Sequence, residues 1–242
     1  NDIVPDTIDF AARVIKDYTK GTKVCGAFYG FMFAFRGDPE YGHNGLERYL
    51  KSENLDFIFV TASYINRHFA TGGTFQRGPA RSIMLNGKLY YHDSDSMSFV
   101  SPEVFKRLNW TKEVLDECLF YHVEITDSAE KSRWVYQRDA GFALANGMYT
   151  SFFDLHGGHF DHPELMDEIG RLNRIMEAST AYPRGSTAEI LIISDERSCN
   201  YATMMSKLLG QALKEPQYAL MQLGAPVDQI LLHDLGKVDT SP

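Results

Sequence analysis

The sequence predicts an α/β fold in which about four βα units form part of a (β/α)8, TIM-type barrel, followed by an incomplete parallel βαβ unit. Three observations predict it. Apolar runs of strand length alternate with amphipathic stretches of helix length along most of the 242 residues. No hairpin signal is strong enough to make an antiparallel sheet, so successive strands are expected to run parallel through right-handed crossovers. At 182–187 (YPRGST) the composition shifts to linker type, dividing a half-barrel over 1–181 from the start of a second α/β unit over 187–242.

Taken in order, residues 5–20 place Ile8, Phe10, Ala11, Val14, Ile15 and Tyr18 at helical spacing, with Asp6 or Thr7 as cap and Gly21 as stop. Residues 22–35 form a long β-rich run with apolar residues on both faces, as in a parallel strand covered on both sides. A short helix over 42–52 precedes a second apolar strand, 55–62, and a third strand is expected over 82–91. The stretches 101–108, 111–121 and 131–145 read as helices, Asn146-Gly147 stops the last of them, and 148–155 is the fourth strand. A helix follows from Pro163, with Leu165, Ile169, Leu172 and Ile175 on one face. In the second unit, strands at 188–194 and 227–233 flank a largely helical 200–224 that Pro216 breaks or kinks. About 55 residues cannot cover both faces of a doubly wound sheet, so this unit is expected to be truncated.

Composition excludes several classes of function. A net charge of −8 without a cluster of Lys or Arg argues against a nucleic-acid partner. No apolar run approaches the roughly 20 residues that cross a bilayer, so no membrane partner is expected. Cys25, Cys118 and Cys199 lie far apart and mark neither a disulfide framework nor a close-spaced zinc motif. No cofactor and no metal are assigned. No signal peptide opens the chain, but it begins at Asn1 rather than Met and leads straight into a helix, which reads as a piece of a longer polypeptide whose leader could have been lost.

Chemistry concentrates where apolar runs end. Residues 81–98 pass from Ile83, Met84 and Leu85, through an Asn86-Gly87 turn or bulge, to Leu89, Tyr90 and Tyr91 and then to His92, Asp93, Ser94, Asp95 and Ser96. If Tyr90 and Tyr91 end a parallel strand, Asp93 and Asp95 stand at its carboxyl end, where α/β sheets place their sites; the alternative is an Asx-rich loop bonding its own backbone. The excursion 63–79 is longer than typical βα loops and polar, which favours a ligand-facing role. In DLHGGHFDH, residues 154–162, the side chains of Asp154, His156, His159, Asp161 and His162 fit metal ligation, hydrogen bonding to a sugar, or a plain surface loop. Asp195, Glu196 and Asp234 also follow strands and are read as helix caps.

The succession CGAFYGFMF, GHNGLERYLKSENLDFIFVTASY with Arg67, SIMLNGKLYYHDSDS and GMYTSFFDLHGGHFDHPELMDEI resembles the carboxyl-terminal half of the catalytic barrel of β-galactosidase-like glycoside hydrolases of family 42 type. The part from Ala188 onward is similar to the start of the flavodoxin-like, amidotransferase-like domain that follows that barrel. The likeness spans most of residues 22–239. It implies that 82–91 is strand seven, 148–155 is strand eight, and a carbohydrate is the ligand. In that family Gly-Lys, a few apolar positions, then Glu, any residue and Asp mark the end of strand seven; here Gly87, Lys88 and Asp95 match, and Asp93 stands where the nucleophile Glu would be. A carboxyl one methylene shorter withdraws its oxygens by about an ångström, a displacement that can cost about a hundredfold in rate. The acid/base Glu that the resemblance implies would lie before Asn1, so a retaining glycosidase is expected to be inactive as this isolated chain. The implied site has Asp93 as the catalytic carboxyl and Tyr64, Arg67, Lys88, Asp95, Asp154, His156 and His159 around the sugar. A non-catalytic carbohydrate-binding relative is the alternative. Half a barrel would expose an apolar inner face and two strand edges, so a homodimer is expected.

Overall fold

The computed structural model describes residues 2–34, 37–64, 67–69, 73–119, 125–183 and 185–239. It is an α/β structure with two parallel sheets. Helix α1 (Ile3–Thr19) closes with Lys20 in a left-handed conformation, followed by Gly21. Four strands then alternate with helices: β1 (Gly26–Phe28), α2 (Leu46–Lys51), β2 (Phe57–Thr61), α3 (Ala80–Leu85), β3 (Leu89–Ser94), α4 (Ser101–Arg107), α5 (Lys112–Leu119), α6 (Ala129–Ala145), β4 (Tyr149–Phe152) and α7 (Pro163–Ser179). The second unit comprises β5 (Ile190–Ser194), α8 (Glu196–Cys199), α9 (Lys207–Leu209), a π-turn over Gly210–Lys214, α10 (Glu215–Met221), and β6 (Val227–Leu231) leading into a 3₁₀ segment, Leu232–Lys237.

The first sheet has the order β1-β2-β3-β4, every pair parallel. Strands laid down in sequence order through crossovers of one hand carry their helices on one face. On that face Ile58, Val60, Tyr90 and Met148 join Leu46, Tyr49, Leu50 and Ile83 in a common core. Next to it, Tyr136 and Ala140 of α6 meet Leu165, Ile169, Leu172 and Met176 of α7, with Phe152 of β4 packed alongside. The opposite face carries an aromatic ladder across the strands. Phe28 and Phe59 have ring centroids 5.1 Å apart, Phe59 stacks on Tyr91 at 4.8 Å, and Tyr91 meets Tyr149 at 5.7 Å. Phe28 is half exposed, and Phe57, Phe59, Tyr91 and Tyr149 are only partly buried. No helix among those described is long and apolar enough to cross a membrane.

Two expected strands come out differently. The run 22–35 contributes only the three residues of β1; Gly30, at φ 79°, turns the chain, and Tyr29, Met32 and Phe33 are buried as non-strand backbone. Their apolarity signals burial, not extension; residues 35 and 36 lie outside the described residues. Ile83, Met84 and Leu85 belong to helix α3 rather than to the third strand. An apolar run this short has no resolvable period, and Asn86 with Gly87 at φ 71° ends a helix instead of turning a hairpin. The expected helix 111–121 is α5; Tyr121 and the side chain of Cys118 lie outside what is described.

The second sheet pairs β5 with β6 in parallel and is fastened to the first through α3. Ser82 Oγ accepts the Leu231 N–H at 2.7 Å, Asn86 Nδ2 donates to Asp234 at 3.0 Å, and Leu231, Leu209 and Cys199 enter the larger core. Sheet geometry gives one direct test. At Gly26 an added Cβ would stand 2.3 Å from the Phe57 carbonyl oxygen across the β1–β2 ladder. Gly26→Ala is expected to lower stability by about 1–3 kcal/mol in urea unfolding, as overpacking against backbone does. An unchanged midpoint would mean that β1 does not pair with β2 in this register.

Candidate functional site

The carboxyl end of β3 gathers the charged groups. Asp93 faces the same side of the sheet as Tyr91, next to Ser151 and Thr61 in the pairing register. It is 1 % exposed, and neither carboxylate oxygen has a hydrogen-bond partner among the described residues. Burial raises its pKa to about 6; the nearby Ser151 hydroxyl pulls it back, and the charge of Asp95 pushes it further up. An orphaned buried carboxyl is costly to keep, which makes it a functional candidate.

Beside it, Arg67 Nη2 bonds Asp95 Oδ1 at 2.6 Å and Ser96 Oγ at 3.2 Å, with Arg67 and Asp95 nearly buried. The guanidinium of Arg67 also lies 5.2 Å from the Tyr64 ring centroid, and that of Arg77 4.7 Å from the same ring. Burial raises the pKa of Tyr64 and the neighbouring Asp95 adds to it. Tyr64, Arg67 and Arg77 all come from the long excursion after β2, which thus supplies one wall of the site.

The other side of β3 carries a buried polar network. Asp139 of α6 accepts from Ser94 at 2.7 Å, Ser96 at 2.8 Å and Thr74 at 2.7 Å. Burial opposes its ionisation, yet the charges of Arg138, His92 and Arg67 and the Ser94 hydroxyl outweigh burial and hold its pKa below the ordinary value. His92 is fully buried, its pKa pushed down to about 4 by desolvation. His92, Asp93 and Ser94 are therefore strand residues bound to the sheet and to α6, and the Asx-loop alternative does not describe them.

The structure separates the rest of the expected set. Lys88 precedes β3, and its Nζ donates to the carbonyls of Ser52 at 2.5 Å and Leu55 at 2.7 Å. Five residues of strand put it about 16 Å from Asp93, at the amino end of the sheet, so it is a structural clamp and not part of the site. Asp154 lies just past β4, where it accepts the N–H groups of Gly158 at 2.6 Å and His159 at 3.2 Å and shapes the loop. His159 Nδ1 is 2.8 Å from Ser101 Oγ and its Nε2 is 3.4 Å from His156 Nδ1, while His156 meets the Trp110 ring edge-on at 4.7 Å. These three residues form a separate loop cluster over α4. Asp139 and Arg77 were not legible as site residues: each is a lone polar residue whose partners lie far away in sequence. Two cavities, of about 600 and 650 Å³, lie elsewhere, one near the amino ends of β4 and β6 and the other against α1, α2 and α8.

Asp93 sets a pH dependence whose sign follows from its shift. Its folded pKa, about 6, exceeds the ordinary 3.8, so the stability carried by its protonated form is present below pH 4 and is lost as pH rises towards 6. His92, with its pKa lowered from 6.5 to about 4, acts oppositely, losing stability as pH falls across that range. Asp93→Asn keeps the shape and cannot ionise. It is expected to stabilise the protein by about 1–3 kcal/mol at pH 7 and by almost nothing at pH 4 in urea unfolding, the His92 contribution cancelling in the difference. An equal gain at both pH values, or none at pH 7, would show that Asp93 is not held as described.

Compared with family models, curated proteins and solved structures, the chain matches none.

Proposed function

We propose that this chain is a glycoside hydrolase-like half-barrel that binds a carbohydrate at the carboxyl end of β3 and is inactive as a hydrolase on its own. The observation that carries the reading is Asp93: a fully buried carboxyl without hydrogen-bond partners among the described residues, on a strand end beside the Arg67–Asp95 ion pair. Sugar hydroxyls are donors suited to such acceptors, and the Tyr64 ring and the Phe59–Tyr91–Tyr149 ladder offer flat apolar surface of the kind that packs on sugar C–H faces. The barrel assignment is supported by four parallel strands in sequence order with helices on one face.

Retaining hydrolysis needs two carboxyls about 5–5.5 Å apart, one of them able to give a proton. The carboxyl whose charge reaches Asp93 is Asp95, and it is committed to Arg67. Nuclear magnetic resonance titration of the protein with methyl β-galactoside is therefore expected to shift the amides of residues 91–96, with the shifts abolished in Asp93→Ala. Nitrophenyl β-galactoside is expected to release no nitrophenol. Absence of any sugar-dependent shift would overturn the carbohydrate reading, and turnover lost in Asp93→Ala would overturn the inactivity.

The same reading extends to assembly. Edge strands β1 and β4 run parallel, so a two-fold axis along the barrel axis pairs β4 of one copy with β1 of the other at both seams and covers both aromatic faces. The homodimer that this predicts should sediment as a dimer at micromolar concentration. Phe59→Glu with Tyr91→Glu, placing charges on the covered face, should shift it to monomer; a wild-type monomer would remove the closed-barrel assembly.

A further inference from the structure

The second sheet ends in a group of side chains that the half-barrel reading does not use. Glu196 and His233 each stand two residues past the carboxyl end of a strand, β5 and β6, and these strands are parallel neighbours. Open α/β sheets bind their ligands at that end. Glu47, in the first turn of α2, comes over the same end from the other unit. One donor atom from each of Glu47, Glu196 and His233 lies within 4.8 Å of the other two, and Glu47 Oε2 is 3.9 Å from His233 Nδ1.

Two carboxylates and an imidazole are a donor set for a divalent transition metal. The surroundings favour one in three further ways. His233 Nε2 lies 3.2 Å from Asp234 Oδ2, close but not aligned as a hydrogen bond, and Asp234 is fully buried and held by Lys237 at 2.7 Å. A carboxylate behind one ring nitrogen is the usual way a metal-binding histidine is oriented, leaving Nδ1 for the ion. Glu196 is fixed by the N–H groups of Leu46 and Glu47, each at 2.8 Å, because α2 begins after Gly45, which has no side chain to cap it. A cavity of about 650 Å³ opens beside the two glutamates, and it is also lined by Asn44, which is 2 % exposed and whose Oδ1 has no hydrogen-bond partner among the described residues. That oxygen is a neutral donor on the wall of the same cavity, unpartnered among the described residues.

The cations now on Glu47 do not close the site. Lys51 and Arg197 reach it at 2.6 Å each, but their side chains are 63 % and 75 % exposed, so both can swing into solvent when an ion takes their place. We propose that Glu47, Glu196 and His233 bind one divalent metal ion of the zinc type, with Asp234 orienting His233, at the seam between the two units.

The test uses the full chain stripped with a chelator and then given Zn²⁺ or Co²⁺ alone. Competition with a chromophoric chelator is expected to find one tight equivalent per chain, and Co²⁺ to give visible absorption of a nitrogen- and oxygen-ligated ion. His233→Ala and Glu47→Gln should each weaken binding by at least about tenfold. Should either variant unfold, the wild type still decides: Zn²⁺ should move the ring resonances of His233 and leave those of His156 and His159 in place. No stoichiometric binding, affinity unchanged in a folded His233→Ala, or ring shifts at His156 and His159 instead would each overturn the site.

Discussion

The constraint on which the rest of the structure depends is the handedness of the crossovers. Four parallel strands follow one another in sequence order, and residues of the connecting helices α2 and α3 pack together on one face of the sheet. The covered face becomes a core of Ile58, Val60, Tyr90 and Met148 against helix residues. The other face carries Phe28, Phe57, Phe59, Tyr91 and Tyr149, whose rings pack on one another and stay half exposed or only partly buried. A sheet with one apolar face uncovered is a surface that a further layer of protein stabilises strongly, at roughly 25 cal/mol for each Å² removed from water.

That asymmetry also governs the electrostatics of the strand ends. Alternate residues of β3 point to opposite faces, so Ser94 and His92 turn towards α6 while Asp93 turns away from it. On the helix side, Asp139 finds three hydroxyl donors and nearby guanidinium charge and stays ionised despite full burial. On the aromatic side Asp93 is buried without a hydrogen-bond partner among the described residues, and its pKa is raised to about 6. Neighbouring residues of one strand thus meet opposite electrostatic environments, and the difference comes from which face each one takes.

The second unit is bound by polar contacts in which each unit satisfies groups of the other. Glu196 supplies the cap that Gly45 cannot give α2, and Ser82 and Asn86 of the α3 region take up the Leu231 N–H and the Asp234 carboxylate. Buried groups paired across such a boundary are expensive to separate, because each partner would be left without its hydrogen bond. The seam therefore holds ionisable residues in fixed relation, although they lie about 150 positions apart.

Much of the architecture was legible in the chain because it rests on local pattern. The long amphipathic helices α1, α6 and α7 follow from apolar spacing, the Asn146-Gly147 stop and Pro163 at the first turn, and β2, β4, β5 and β6 from short apolar runs between turn residues. Pattern failed where apolarity had two explanations: Met32 and Phe33 are buried without being a strand, and Ile83 is buried in a helix. In the candidate site, the carboxylates Asp93 and Asp95 could be picked out from their place at the end of an apolar run, whereas Tyr64 and Arg67 were named only through the family resemblance. That Lys88 clamps the far end of the sheet, that Asp154 shapes its own loop, and that Glu47 meets Glu196 and His233 could not. Sequence by itself determined most of the helices and strands and their order, since periodicity is a property of neighbours along the chain, and it left open the short apolar runs that have no resolvable period. Tertiary structure alone decided which charges are paired, orphaned or gathered, since a side chain's partners depend on packing between residues that the sequence holds far apart.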